Sequence, residues 1–293
     1  MSNHENGVIS KGGGALDWGM RNRLARIFSR SSGRTVMLAI DHGYFEGPAP
    51  GLERVDQSIV PFIDYADALM ATRGIFRTSI PPSFTQAVVL RATGGPSVLK
   101  ELSNERIALD MEDALRLNAA ALAVTVFIGA KYETQTVHNM TKLVDLGNRH
   151  GVPVLAVTGV IDENAGDAKY YRMACRICAE LGAHFVKTYF VNDFESVVSG
   201  CPAPVVVAGG KKVSEFDALT MTHRAMQAGA AGMDMGRNIF QAEAPAAMIQ
   251  AVRAVVHDGE NPKKAFELYR SLKNGSRGER DGSGSRPVPK ASV

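Results

Sequence analysis

Short aliphatic runs alternate with stretches of helical periodicity from residue 36 to residue 257, and this repeat confines the chain to very few folds. Eight runs read as strands: 36–40, 68–71, 87–90, 121–127, 154–157, 185–188, 205–208 and 232–235. Several lack polar alternation, as expected of parallel strands covered on both faces. Between them, 53–63, 110–118, 134–150, 167–181, 194–200, 214–228 and 245–257 read as helices. Gly147, Gly151, Gly182, Gly229 and Gly259 fall near helix ends, where a left-handed cap favours glycine. The third unit is irregular: 97–105 is polar, so its crossover is expected to be short or displaced.

Eight strand-helix units match a (β/α)8 TIM barrel of about 250 residues, which right-handed crossovers would close. A doubly wound open sheet is the alternative; it needs a reversal of strand order, and no G-x-G-x-x-G turn follows the first strand. Ahead of the barrel, 18–28 reads as an amphipathic helix covering the barrel bottom or a neighbouring subunit. The expected layout is a flexible N-terminal arm at 1–16, a single barrel domain at 17–273 and a flexible tail at 274–293, rich in Gly, Ser, Arg and Pro.

Composition argues against several functions. A formal charge of +3 and a pI near 8.7 fall short of a nucleic-acid binder, and no basic stripe interleaves with aromatics. Small anionic substrates fit this balance. The longest apolar stretches, such as 119–128, reach about half of the roughly 20 residues that span a bilayer, so no membrane segment is expected. Residues 1–14 lack the apolar run of a secretory signal, which makes the cytoplasm the expected compartment. Cys175, Cys178 and Cys201 make no disulfide framework. The C-x-x-C spacing of the first two lies inside a helical stretch with no second pair, so packing is their expected role.

Barrel active sites form where strands end and βα loops begin. Those ends carry Asp41-His42-Gly43 after the first strand, Thr72-Arg73-Gly74 after the second, Lys187-Thr188-Tyr189 at the sixth, Gly209-Gly210-Lys211-Lys212 after the seventh and Gly236-Arg237-Asn238 after the eighth. Alone, Lys187 reads as a lysine that snorkels to solvent; at a barrel mouth it has the placement of a Schiff-base nucleophile. An amine attacks a ketone only when neutral, and a free lysine has a pKa of roughly 10.4, so that chemistry demands a perturbed environment. The last two loops read as a phosphate cradle: Gly209, Gly210 and Gly236 let backbone N–H groups approach an anion, and Lys211 and Arg237 supply charge. Asp41 is the candidate proton shuttle facing the lysine, with loop capping as the plainer alternative. His42, one residue on, is expected to point elsewhere. Only His42 and His184 lie near strand ends, and His184 precedes its strand, so no catalytic metal is expected. No G-x-S-x-G elbow supports a hydrolase.

Together, Ala39-Ile40-Asp41-His42-Gly43, Val186-Lys187-Thr188, Ala208-Gly209-Gly210-Lys211-Lys212 and Met235-Gly236-Arg237-Asn238-Ile239-Phe240-Gln241 resemble the archaeal-type class I aldolase family, across 17–273. The resemblance implies a (β/α)8 barrel with Lys187 as its Schiff-base lysine. It also implies a phosphate held by Lys211, Lys212, Arg237 and the three glycines. Asp17-Trp18-Gly19-Met20, Gly43-Tyr44-Phe45, Gly51-Leu52-Glu53-Arg54 and Ala156-Val157-Thr158-Gly159-Val160 extend the likeness. They bring it nearest to members that pass an acetyl group from a phosphorylated dione to coenzyme A. Sugar-phosphate aldolases of the family carry a proton-donating tyrosine after strand five, and 156–160 has none. Coenzyme A is then a co-substrate, with no bound cofactor, and the family implies a ring-like homo-oligomer, up to a decamer. A class I sugar-phosphate aldolase and a noncatalytic phosphosugar-binding protein are the competing readings.

Overall fold

A computed structural model describes residues 16–159 and 166–282, with side chains to residue 275. Its strands are β1 (Thr35–Ala39), β2 (Ala68–Ala71), β3 (Ala87–Arg91), β4 (Thr93–Gly94), β5 (Arg106–Ile107), β6 (Ala119–Val126), β7 (Val154–Thr158), β8 (Phe185–Tyr189), β9 (Val205–Ala208) and β10 (Gly232–Met235). Eight of them close a parallel barrel in the order β1-β10-β9-β8-β7-β6-β3-β2, as the alternating pattern predicted. The remaining two, β4 and β5, form a small antiparallel hairpin.

Side chains along each strand alternate between the barrel interior and the helices, because a pleated strand has a period of two. In β8, Phe185 joins the interior core and Val186 the outer one, so Lys187 faces inward. The inner core holds Met37, Met70, Val89, Leu155, Phe185 and Val206. The helix Trp18–Ile27 closes the bottom of the barrel: Leu24, Ile27 and Phe28 join that core, and the Phe28 ring meets Phe185 edge-on at 5.6 Å. Each such side chain contributes about 1.5–3 kcal/mol by leaving water. The apolar plug leaves the other end of the barrel for polar groups.

The helices follow the expected spans with instructive exceptions. The stretch 53–63 splits into Val55–Ser58 and a 3-10 segment, Val60–Tyr65, because Pro61 lacks an N–H for an α-helical bond. The third crossover is displaced: the β4–β5 hairpin stands there, followed by the short helix Met111–Arg116. The helix Arg73–Thr78, unforeseen in the sequence, starts where Thr72 Oγ1 accepts from Ile75 N at 3.4 Å. The helix Glu133–His150 stops at Gly151, whose φ of +68° is the left-handed cap glycine favours. The last helix, Pro262–Gly282, passes the tail boundary expected at 274, since Ala265 and Tyr269 bury its apolar face and no proline interrupts it before Pro287. Residues 1–15, 160–165 and 283–293, which include most of the expected arm and the end of the tail, lie outside the described residues. Among the described residues, no helix is long and apolar enough to cross a membrane.

Candidate active site

A cavity of about 270 Å³ opens at the C-terminal ends of the barrel strands, and Lys187 projects into it. Lys187 Nζ lies 2.8 Å from Asp234 Oδ2, with the lysine side chain 10% exposed and the aspartate side chain 0%. Strand register brings them together: β9 lies between β8 and β10, pairing Lys187 with Val206 and Asp234 with Ala208. The contact is one of charge alone, for neither Asp234 oxygen meets hydrogen-bond geometry with any described group. A buried carboxylate stripped of hydrogen bonds is costly, so the ammonium of Lys187 is what offsets its burial.

Asp41 lines the same cavity, yet its carboxylate is not the lysine's direct partner. Arg91, from the end of β3, holds it: Nη2 lies 2.6 Å and Nε 2.8 Å from Oδ2, with both side chains 6% exposed. Burial pushes the Asp41 carboxyl up, but the Arg91 guanidinium, helped by His42 and Lys187, outweighs it and holds the group below its ordinary value. Arg91 also donates to Thr125 Oγ1 at 2.6 Å and lies 5.1 Å from the centroid of the Tyr44 ring. Tyr44 donates its hydroxyl to Glu105, which also accepts from Thr93 Oγ1 at 2.6 Å. Burial is the main force raising the Tyr44 pKa, so the phenol stays protonated.

His42 corrects an expectation, since it lines the cavity instead of pointing elsewhere. The reason is the turn at Asp41–His42: His42 has φ −53° and ψ −30°, helical backbone in which the strand alternation no longer applies. Its ring meets Phe240 edge-on at 5.8 Å, and buried Nδ1 has no hydrogen-bond partner among the described residues. Burial chiefly lowers its pKa from 6.5, with Lys187 and Arg237 adding to the effect against Asp41, so the imidazole is neutral at pH 7.

Of the expected cradle, the three glycines and Arg237 come together at the cavity, and Lys211 does not. Gly209, Gly210, Gly236 and Arg237 line the cavity, and the buried Nε of Arg237 has no hydrogen-bond partner among the described residues. Asn238 pins the loop by accepting from Val213 N at 2.9 Å and donating to Gly209 O at 2.7 Å and Lys211 O at 3.1 Å. A Cβ on Gly236 would stand 2.6 Å from Ala39 O and 2.7 Å from His42 Cε1. The two lysines sit differently. Lys211 is exposed and outside the cavity lining. Lys212 Nζ is engaged by Val213 O at 2.8 Å and Glu215 Oε1 at 3.0 Å.

A family model for DeoC/LacD aldolases matches residues 35–242 of the chain. The chain belongs to the DeoC/LacD aldolase family. It is 58% identical over 266 residues to a 3-hydroxy-5-phosphonooxypentane-2,4-dione thiolase of Enterobacter sp. (strain 638), covering 90% of each protein. It is 54% identical to the protein of that name from Escherichia coli (strain K12 / DH10B), over 90% of this chain and 91% of that one. It is also 56% identical to an uncharacterized aldolase of Pasteurella multocida (strain Pm70), over 88% of this chain and 90% of that one. Among solved structures, an archaeal fructose 1,6-bisphosphate aldolase has a TM-score of 0.72 at 25% identity, over 82% of this chain and 99% of that one. A structure of a Schiff-base-forming fructose-1,6-bisphosphate aldolase, studied for its reaction intermediates, has the same score and identity over 81% of this chain and 99% of that one.

Within this DeoC/LacD-family barrel, the position after strand five carries no tyrosine, and the ring of Phe127 fills the space there: a Cβ on Gly159 would stand 2.2 Å from Phe127 Cδ1. Val160, the last residue of that motif, lies outside the described residues. Thr158 lines the cavity with its hydroxyl donated to Thr188 Oγ1 at 2.8 Å. His184 sits at the opposite end of β8, where its Nδ1 accepts from Val154 N at 3.0 Å. The three cysteines are buried and form no disulfide among the described residues, and the Cys201 thiol donates to Cys175 O at 3.6 Å; burial pushes the Cys178 thiol up to about 12 and raises that of Cys175 well above its ordinary value. Asp234, Arg91 and Glu105 escaped the sequence reading, and Tyr44 entered it only within the Gly43-Tyr44-Phe45 motif. A charge inside an apolar run, as in Met233-Asp234-Met235, is the signal that marks the first of them.

Proposed function

We propose that the chain is a Schiff-base-forming thiolase. It transfers the acetyl group of 3-hydroxy-5-phosphonooxypentane-2,4-dione to coenzyme A, giving acetyl-CoA and dihydroxyacetone phosphate, in the breakdown of phosphorylated autoinducer-2. The observation that carries the reading is the buried Lys187–Asp234 pair in a cavity rimmed by Gly209, Gly210, Gly236 and Arg237. The identity to thiolases over nine-tenths of the chain supports the choice of substrate.

Backbone N–H groups of the three glycines and the guanidinium of Arg237 receive the phosphate, and exposed Lys211 adds charge at the rim. That anchor sets the nearby C4 ketone against Lys187. Asp234 takes a proton from the ammonium, the free amine adds to C4, and loss of water gives a protonated imine, stabilised by ionised Asp41. His42, neutral with an open Nδ1, accepts the proton of the coenzyme A thiol, and the thiolate adds to the C2 carbonyl. Collapse of that adduct breaks C2–C3; the electron pair moves into the imine, acetyl-CoA leaves, and C3 is protonated before hydrolysis frees dihydroxyacetone phosphate. The imine supplies the electron sink, so this sequence uses no metal. A single barrel domain in a homo-oligomer, up to a decamer, completes the reading; light scattering tests the assembly.

Borohydride added with the phosphorylated dione should attach substrate mass at Lys187, and Lys187→Ala should abolish both adduct and turnover. Retained turnover in that variant refutes the Schiff base. Product analysis with and without coenzyme A decides the rest: a free aldehyde without acetyl-CoA identifies a sugar-phosphate aldolase, and binding with neither adduct nor product identifies a noncatalytic protein.

A further inference from the structure

Beside the catalytic cavity a second concavity of about 570 Å³ opens between the β4–β5 hairpin and the helix Glu133–His150. Arg106, Lys131, His138 and Lys142 line it, together with the Tyr132 ring and the amide of Gln135. All four basic residues are exposed. Among the described residues, Arg106, Lys131 and Lys142 form no ion pair. Glu101, the carboxylate that feels Lys131, is lowered first by its hydrogen bonds to Ser103 and only last by the lysine. An uncompensated cluster of this kind, around an aromatic ring and an amide, is built for a ligand with several negative charges and a flat ring.

Its position says which ligand. Two chain segments form the wall between the groove and the catalytic cavity. In the first, Leu102 and Glu105 line the cavity while Arg106 and Ile107 line the groove. In the second, Phe127 lines the cavity while Lys131 and Tyr132 line the groove. The wall is tied down from the groove side: Asn139 Nδ2 donates to Glu105 O at 2.9 Å, and Gln135 Nε2 donates to the same carbonyl. The groove and the cavity that holds Lys187 therefore lie on the two sides of these shared segments.

We infer that this groove docks the nucleotide end of coenzyme A. The inference rests on the thiolase reading, which makes coenzyme A the second substrate. Coenzyme A has the required shape and charge: an adenosine 3′-phosphate and a 5′-pyrophosphate at one end, and an uncharged pantetheine arm ending in the thiol. The guanidinium and the two ammonium groups meet the phosphates, Tyr132, which has Lys131 Nζ over its ring at 5.5 Å from the centroid, offers its other face to adenine, and the arm carries the thiol past Glu105 to His42 and the substrate.

The test compares coenzyme A with pantetheine, which keeps the thiol and lacks the nucleotide. Steady-state kinetics of the full-length protein should show the preference for coenzyme A, as a ratio of kcat/KM values, falling about tenfold for each of Arg106→Ala, Lys131→Ala and Lys142→Ala. The fall should appear in KM for coenzyme A. Added salt should weaken the same preference. Calorimetric titration with adenosine 3′,5′-bisphosphate, which needs no turnover, should show binding that the triple variant loses. An unaltered preference in all three variants overturns the inference, and so does nucleotide binding unaltered in the triple variant. If no acetyl-CoA forms with the unaltered protein, the thiolase reading fails by itself, and the titration still decides whether the groove binds nucleotide.

Discussion

The Lys187–Asp234 pair makes a quantitative prediction that separates its charge from its packing. At 2.8 Å and an effective dielectric constant of about 20, the attraction is about 6 kcal/mol. Desolvating the two ions costs several kcal/mol each, so the pair as a whole adds little net stability. Removing one partner is different, because it strands the other charge in a place almost without water. Lys187→Met should therefore cost about 3–5 kcal/mol through Asp234, whose side chain is 0% exposed and has no hydrogen bond to fall back on. Asp234→Leu should cost a comparable amount through the lysine. The double variant, an apolar pair of similar volume, should recover most of both losses. Urea denaturation of the four proteins at pH 7, assembled as a double-mutant cycle, should give a coupling energy of about 3 kcal/mol or more. Additive losses within about 0.5 kcal/mol would refute the claim that each charge is held in the barrel by the other. All three variants should fail borohydride trapping, since two lack the amine and one lacks its proton acceptor.

Three further outcomes follow from other contacts. Neutral His184, locked by accepting from Val154 N, has a pKa near 4 in the fold because of burial and about 6.5 when unfolded, so the unfolded chain binds the proton first as pH falls. Stability should thus drop by about 3 kcal/mol between pH 6.5 and pH 4, and His184→Asn should remove that part of the slope in urea titrations. Asp41 has the opposite linkage: its lowered pKa gives stability present above about 3.9 and lost only at lower pH, outside the His184 window. Gly236→Ala should raise KM for the phosphorylated dione and cost about 1–3 kcal/mol, since its Cβ would press on Ala39 O and His42; kinetics and thermal melts check both. Arg91→Met should strand buried Asp41 at about 3–5 kcal/mol and lower turnover, while Arg91→Lys should restore part of the stability in denaturant titrations.

The barrel was legible because its signals are local. Aliphatic runs at 68–71, 205–208 and 232–235 coincide with β2, β9 and β10, and glycines such as Gly151 ended helices where the chain needed a left-handed residue. Lys187, Arg237 and the three glycines could be placed at the cavity for the same reason, each standing near the end of a recognisable strand. The irregular stretch after β3 gave no periodicity to read. It folds as a hairpin and holds Glu105 against Tyr44, and the groove beside it depends on contacts with a distant helix.

Which charges neutralise one another was decided only by the tertiary structure. By spacing, Asp41 faced the lysine and His42 turned away; closure of the barrel gave Asp41 to Arg91, brought His42 into the cavity and set Asp234 against Lys187. Local pattern determines a strand's two faces, and hence that Lys187 and Asp234 point inward. Their 2.8 Å approach needs strand order and register around the closed ring, relations among residues dozens of positions apart. The sequence by itself determined the barrel and the lysine at its mouth; the ring determined the lysine's partner.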